Sequence, residues 1–161
     1  MPEIFSMKSL RAAVETGSID TVIAAFPDMQ GRLMGKRFHA KFFVDNAWEE
    51  THCCNYLIAT DLEMETVDGY ESTSWSAGYG DYVMRPDLDT LCVLPWLEGT
   101  ALVLCDLLDH HAHELVPHAP RTVLKQQLKR AADLGLAMMA ATELEFFVFR
   151  ETFETIRDAE Y

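Results

Sequence analysis

The amino-acid sequence predicts an α+β protein, and three observations carry that expectation. Short runs rich in branched, aromatic and aliphatic residues recur between residues 17 and 110, separated by turn chemistry. Two stretches of helical periodicity, 6–16 and 121–134, stand outside that block. A polar, histidine-rich segment separates the block from the second of them. The expected organisation is an N-terminal helix over 1–16, a strand-rich domain over 17–110 with an acidic loop at 60–80, a linker over 111–120, and the start of a further domain over 121–161. With 161 residues, 49% of them hydrophobic, the chain can bury one real core.

The first helix, 6–16, places Met7, Leu10 and Val14 on one stripe, with Ser6 as a cap and Gly17 as a stop. Thr21–Phe26 reads as a strand, Pro27 to Gly31 as a turn, and Arg32–His39 as the returning strand, with Lys36 and Arg37 on a solvated edge. Ala40–Glu50 is expected to be a short helix with Phe42, Phe43, Ala47 and Trp48 on its apolar side, and Tyr56–Ala59 a strand. Between Thr60 and Gly80 the composition turns acidic, with Asp61, Glu63, Glu65, Asp68 and Glu71 interrupted by Tyr70, Trp75 and Tyr79. A loop of this length inside a domain is either functional or flexible. Asp81–Pro86, ending in a proline turn, and Leu91–Pro95 are two further strands. Thr100–Leu108 is nearly continuous in apolar residues, which predicts a central strand covered on both faces.

His110, His111, His113 and His118 mark the linker, and their spacing matches no closed zinc site. His52, Cys53 and Cys54 are consecutive, so a regular element cannot point all three at one ion. The four cysteines show no paired spacing and are expected to be reduced thiols. The second helix, Arg121–Leu134, carries Val123, Leu124, Leu128 and Ala131 on its stripe and stops at Gly135. The last run, Ala141–Phe149, reads as a strand with Glu143, Glu145, Phe147 and Phe149 on one face. The two carboxylates, with Cα atoms ~6.6 Å apart at ~3.3 Å rise per residue, can take Arg or Lys partners, face water at an edge, or hold divalent cations. A two-faced apolar strand here needs neighbours that these residues do not supply, so a larger domain is expected to continue from it.

Twenty-six acidic against 13 basic residues give a net charge of −13, which disfavours nucleic acid or an anionic membrane as a partner. The opening, Met1 to Lys8, lacks a basic and then apolar leader, and no run approaches a bilayer span, so a cytoplasmic protein is expected.

The motifs in order resemble the glutamine synthetase family. Gly80-Asp81-Tyr82-Val83-Met84-Arg85-Pro86-Asp87 resembles its S-D-M-x-L-x-P-D strand, and Ala101 to Asp106 the following strand that ends in C-D. Pro120-Arg121 resembles the family's P-R helix, Thr142 to Phe147 its E-x-E-F-F metal strand, and Asp28 to Leu33 its D-x-x-G-R turn. The resemblance implies a β-grasp-like N-terminal domain followed by the first helix and strand of the catalytic domain. It also implies an ATP-dependent ligase that joins glutamate to ammonia or a small amine through a γ-glutamyl phosphate. Mg²⁺ or Mn²⁺ ions would sit at Glu143 and Glu145, and Asp81 and Asp68 would be the catalytic carboxylates, with Asp61 the alternative to Asp68. The loop text Asp68-Gly69-Tyr70-Glu71-Ser72 departs from the D-G-S-S of ammonia-using members, which brings in the branch that makes γ-glutamyl polyamines or ethanolamide. The family assembles as homo-oligomeric rings, commonly dodecamers. Its glutamate- and nucleotide-binding motifs are absent from these 161 residues, so by themselves they are expected to be inactive. The competing expectation is a stand-alone β-grasp-like interaction module without catalysis.

Overall fold

The computed structural model describes residues 5–76 and 78–160. Helix α1 (Met7–Glu15) begins where Ser6 turns extended and its Oγ accepts the Ser9 amide at 3.1 Å. Its buried residue, Leu10, anchors it to a five-stranded sheet. The strands are β1 (Thr21–Pro27), β2 (Leu33–His39), β3 (Thr51–Cys54), β4 (Asp81–Val93) and β5 (Thr100–Asp109), in the order β2-β1-β5-β4-β3. β1 and β5 run parallel at the centre, and every other pairing is antiparallel. The near-continuous apolar run of β5 therefore occupies the middle of the sheet, as its composition requires.

One face carries the core. Val22, Ala24 and Phe26 of β1, Met84 and Leu91 of β4, and Val103 and Cys105 of β5 pack beneath Leu10 and Phe43. Phe43 belongs to the helical segment that follows β2: a single α turn, α2 (Ala40–Phe42), which widens into a π turn over Phe43–Ala47. β2 lies so close to β1 that a Cβ on Gly35 would meet the Ala24 carbonyl oxygen at 2.1 Å.

Four sequence expectations change. Tyr56–Ala59 is no strand but part of a 3₁₀ turn, Asn55–Ile58, tied down by the Asn55 side chain. The two expected strands at 81–86 and 91–95 are one, β4, with its register slipping between Asp87 and Cys92. Thr90 fills that irregularity, its Oγ accepting the Leu104 amide at 2.8 Å and donating to the Asp87 carbonyl. Pro86 stays in register opposite Cys105, just before the shift and past the last β3 pair at Met84, where a missing N–H costs the ladder little. The 111–120 segment does not stand off as a polar linker: Val116 and Ala119 are buried in the core, and the Val116 amide bonds the Leu107 carbonyl. Finally, Ala141–Phe149 joins no strand of the sheet, and Leu144, Phe146, Phe147 and Val148 are exposed. Extended backbone becomes a strand only when a neighbour supplies hydrogen bonds, and side-chain alternation cannot create that neighbour.

Helix α3 (Pro120–Asp133) starts with proline in its first turn, where a backbone N–H has no use, and ends before Gly135 at φ +74°. A last short helix, α4 (Phe153–Asp158), is capped by the Thr152 hydroxyl, which accepts the Thr155 amide. Among the described residues, no helix is long and apolar enough to cross a membrane.

Candidate functional site

The motif residues of the strands and of α3 meet on the sheet face opposite the core. Asp87 of β4 and Asp106 of β5 rise from neighbouring strands, and α3 lowers Arg121 and Lys125, one turn apart, onto them. Arg121 Nε donates to Asp106 Oδ1 at 2.8 Å and its Nη2 donates to Asp87. Lys125 Nζ bridges the same two carboxylates, at 2.7 Å to Asp106 and 3.0 Å to Asp87. Burial would raise the Asp87 carboxyl, but Lys125 and Arg121 outweigh it and hold the group below the usual carboxylate range. Burial likewise would lower the Lys125 ammonium, and Asp106 and Asp87 keep it above its ordinary value. Arg121 and Lys125 each engage both carboxylates, so this cluster is a clasp between helix and sheet. Sequence reasoning missed it, although a basic pair at i, i+4 after Pro120 was a usable signal.

A second construction holds the acidic loop. Gly31 takes φ +83° and lets the turn after β1 close on the buried Asp28 carboxylate. That carboxylate accepts the Gln30 amide at 2.9 Å, the Arg32 amide at 2.8 Å and Arg32 Nε at 2.6 Å. Burial would raise the Asp28 carboxyl, yet these donors together with the Arg32 charge hold it down. So fixed, Arg32 donates onward to the carbonyls of Leu62 and Asp61, both at 2.8 Å, and Gln30 Nε2 donates to the Thr60 carbonyl. The far end of the loop is tied by Asn55, which donates to the Ser72 carbonyl and accepts Thr73 Oγ1 and the Gly80 amide. The D-x-x-G-R turn is thus a loop anchor.

The four carboxylates singled out from sequence lie on three segments. Asp81 is exposed at the head of β4, opposite Cys54, and borders a small cavity of about 180 Å³ with Lys36 and His52. Asp68 is exposed within the acidic loop. Glu143 and Glu145 are exposed on the unpaired 141–149 stretch. Among the described residues, no group of three or more His, Cys, Asp or Glu side chains is placed to hold a metal ion. His52, His110 and His111 instead meet ring edge to ring, with centroids 5.3 Å apart in each pair.

Residues 117–160, from the approach to α3 onward, match the family model described as glutamine synthetase, catalytic domain. A γ-glutamylethanolamide synthetase of Streptomyces coelicolor is 52% identical over 156 residues, 96% of this chain and 34% of that protein. These matches make the chain similar to the glutamine synthetase family and, within it, to its amine-ligating members. Another relative, a glutamate–isopropylamine ligase of a Pseudomonas species, is 36% identical over 148 residues, 91% of this chain and 32% of that protein. The chain therefore spans about a third of the length of these curated relatives (34% and 32%). A solved structure of a GmaS–ADP complex superposes with a TM-score of 0.57 at 22% identity, covering 83% of this chain and 26% of that one, a likeness of fold. The Asp87–Asp106–Arg121–Lys125 clasp joins the sheet to the first helix of the stretch that matches the catalytic-domain family.

Proposed function

We propose that this chain is the first third, roughly, of an ATP-dependent ligase that joins glutamate to a small amine or ammonia through a γ-glutamyl phosphate. The observation that carries the reading is the 52% identity running through 96% of the chain to a γ-glutamylethanolamide synthetase. The strand order, with parallel central strands flanked by hairpin partners and a helix across one face, supports a β-grasp-like domain over 17–110, followed by the start of the catalytic domain at 121–161. The whole enzyme is a homo-oligomeric ring, a dodecamer, in the cytoplasm.

Glu143 and Glu145 present hard oxygen donors on alternate residues, a donor set that fits Mg²⁺ or Mn²⁺. Being two, they would share each ion with ligands from elsewhere in the enzyme. Such ions, when bound, neutralise phosphate charge during phosphoryl transfer. Asp81 and Asp68 are the groups that hold the incoming ammonium and accept its proton, and the Asp28–Arg32 anchor keeps the loop that carries Asp68 in place. Their exposure supports a role that is completed by a neighbouring surface.

The test is Glu145→Ala in the full-length enzyme, read as ethanolamine-dependent ATP hydrolysis over a Mg²⁺ titration. Turnover is expected to fall by at least about 10²-fold, the order typical for removing a charge-stabilising group from an active site. Activity retained at saturating Mg²⁺ removes the metal assignment.

A further inference from the structure

Asp68 is followed by Gly69, and no other aspartate or asparagine in the chain precedes a glycine. The side-chain carbonyl carbon of an aspartate lies one bond rotation from the amide nitrogen of the next residue, and the two can close a five-membered ring. A glycine in that next position has no Cβ to crowd the nitrogen and lets the backbone take the shape the ring demands. Whether the step is open in the folded protein depends on what holds the two residues. Both are exposed and occupy a turn of the acidic loop. Gly69 takes φ +102°, and a Cβ built on it would meet nothing within 4 Å. Among the described residues, the Asp68 carboxylate has no hydrogen bond or ion pair, and the Gly69 amide donates to no carbonyl. The chain is tied just before, where the Val67 amide donates to the Ala59 carbonyl, and just after, where Asn55 donates to the Ser72 carbonyl. Asp68 and Gly69 lie in the short span between the two ties.

Other aspartates are held where Asp68 is not. Asp28 accepts two backbone amides and Arg32 Nε, and Asp61 accepts the amides of Glu63 and Glu65. Asp109 accepts those of His111 and Ala112, and Asp87 and Asp106 are bound in the clasp. A carboxylate so engaged must first break these bonds before it can turn toward its own backbone.

We propose that Asp68–Gly69 is a site of spontaneous covalent modification, the isomerisation of Asp68 to isoaspartate. The Gly69 amide nitrogen attacks Asp68 Cγ, a C–N bond forms, and a carboxyl C–O bond breaks. The hydroxyl leaves with the amide proton as water, and a succinimide remains. Water then reopens the ring. Addition at Cγ breaks the new bond and restores aspartate. Addition at the main-chain carbonyl carbon breaks the original peptide bond and leaves isoaspartate, whose backbone runs through Cβ and Cγ and whose free carboxylate sits on Cα. One water is lost and one returns, so the mass is unchanged and no oxidant, reductant or cofactor enters. The product lengthens the turn by one backbone carbon and moves the carboxylate assigned above to the incoming amine. That loss of position is the one consequence that rests on the ligase reading; the isomerisation itself does not.

The full-length protein, native and in urea, is kept at physiological temperature in mildly acidic buffer. Isoaspartate is counted by labelled methylation with a protein isoaspartyl methyltransferase and located by fragmentation of the peptides. In the native protein, isoaspartate is expected at residue 68 at a rate within about threefold of that in urea, because a loop without protecting contacts opens at almost no cost. It should form there at least about tenfold faster than at any other aspartate, the factor that ~1.4 kcal/mol of barrier gives. Asp68→Glu keeps the charge but would need a six-membered ring, and should abolish the product. Asp68→Asn should give the same product faster, with loss of ammonia in place of water. Ethanolamine-dependent turnover should fall in step with the isoaspartate fraction. Isoaspartate at residue 68 in urea but not in the native protein, or native isoaspartate spread evenly over the other aspartates, would overturn the proposal. Isoaspartate at residue 68 with turnover unchanged would uphold the modification and remove Asp68 from amine handling.

Discussion

Replacing Arg121 with Met keeps the aliphatic stem that packs on the sheet and removes the guanidinium from the clasp. Arg121 makes charge-assisted bonds to Asp106 and Asp87, and its side chain is 17% exposed against 10% and 20% for its partners. A bond to a charged group nets ~1.5–3 kcal/mol, and stripping one partner from a buried pair costs ~3–5 kcal/mol. Lys125 still holds both carboxylates after the change, so the loss belongs at the lower end, about 2–3 kcal/mol. At a urea slope of about 2 kcal/mol per molar, the unfolding midpoint falls by roughly 1–1.5 M. Lys125→Met should cost less, about 0.5–1 kcal/mol, because its side chain is 41% exposed and water screens it. The pH dependence has a definite sign. The Asp87 carboxyl is depressed in the folded protein, so its contribution is complete above the unfolded carboxylate value of about 3.9 and is lost as pH falls through the folded value beneath it. Urea midpoints between pH 7 and pH 3 should therefore drop less in Arg121→Met than in the wild type. Midpoints equal within about 0.2 M at pH 7, or a larger loss from Lys125→Met, would refute the clasp.

Three other outcomes are expected. Asp28→Asn removes the charge that gathers Arg32 and two amides, at a cost of about 2–3 kcal/mol, and should speed hydrogen exchange at the amides of Asp61, Glu63 and Glu65; unaltered exchange there would show that Arg32 does not hold the loop. Gly35→Ala drives a Cβ into the Ala24 carbonyl and should destabilise the β1–β2 hairpin by about 3 kcal/mol, visible as a lowered Tm, so a Tm at the wild-type value would contradict the close approach of these strands. Burial pushes the Cys53 and Cys105 thiols up to about 12, so at pH 8 a disulfide reagent should label exposed Cys54 first and reach the other two only after unfolding, read by peptide mass.

Local elements were legible because their causes are local. The Ser6 cap, the Pro120 start and the Gly135 stop act within a few residues, and each stands where the chain's chemistry puts it. The misreadings share another cause. Pro86 looked like a strand end, but β5 continues alongside, and Thr90 repairs the ladder from a distance of fourteen residues. Tyr56–Ala59 has strand-like composition, yet Asn55 turns inward to tie the loop and bends the backbone into a 3₁₀ turn.

The sequence by itself determined the class of elements, the central position of β5 and, through motif order, the family resemblance. Tertiary structure alone decided which motif residues touch. Asp87, Asp106 and Arg121 belong to three separate motifs in the chain, and only the pairing of β4 with β5 beneath α3 turns them into one clasp. It also decided that the acidic loop hangs from Arg32. The physical reason is range: caps, turns and periodicity are set by neighbours along the chain, whereas ion pairs and buried hydroxyls depend on distances that strand register and helix docking create.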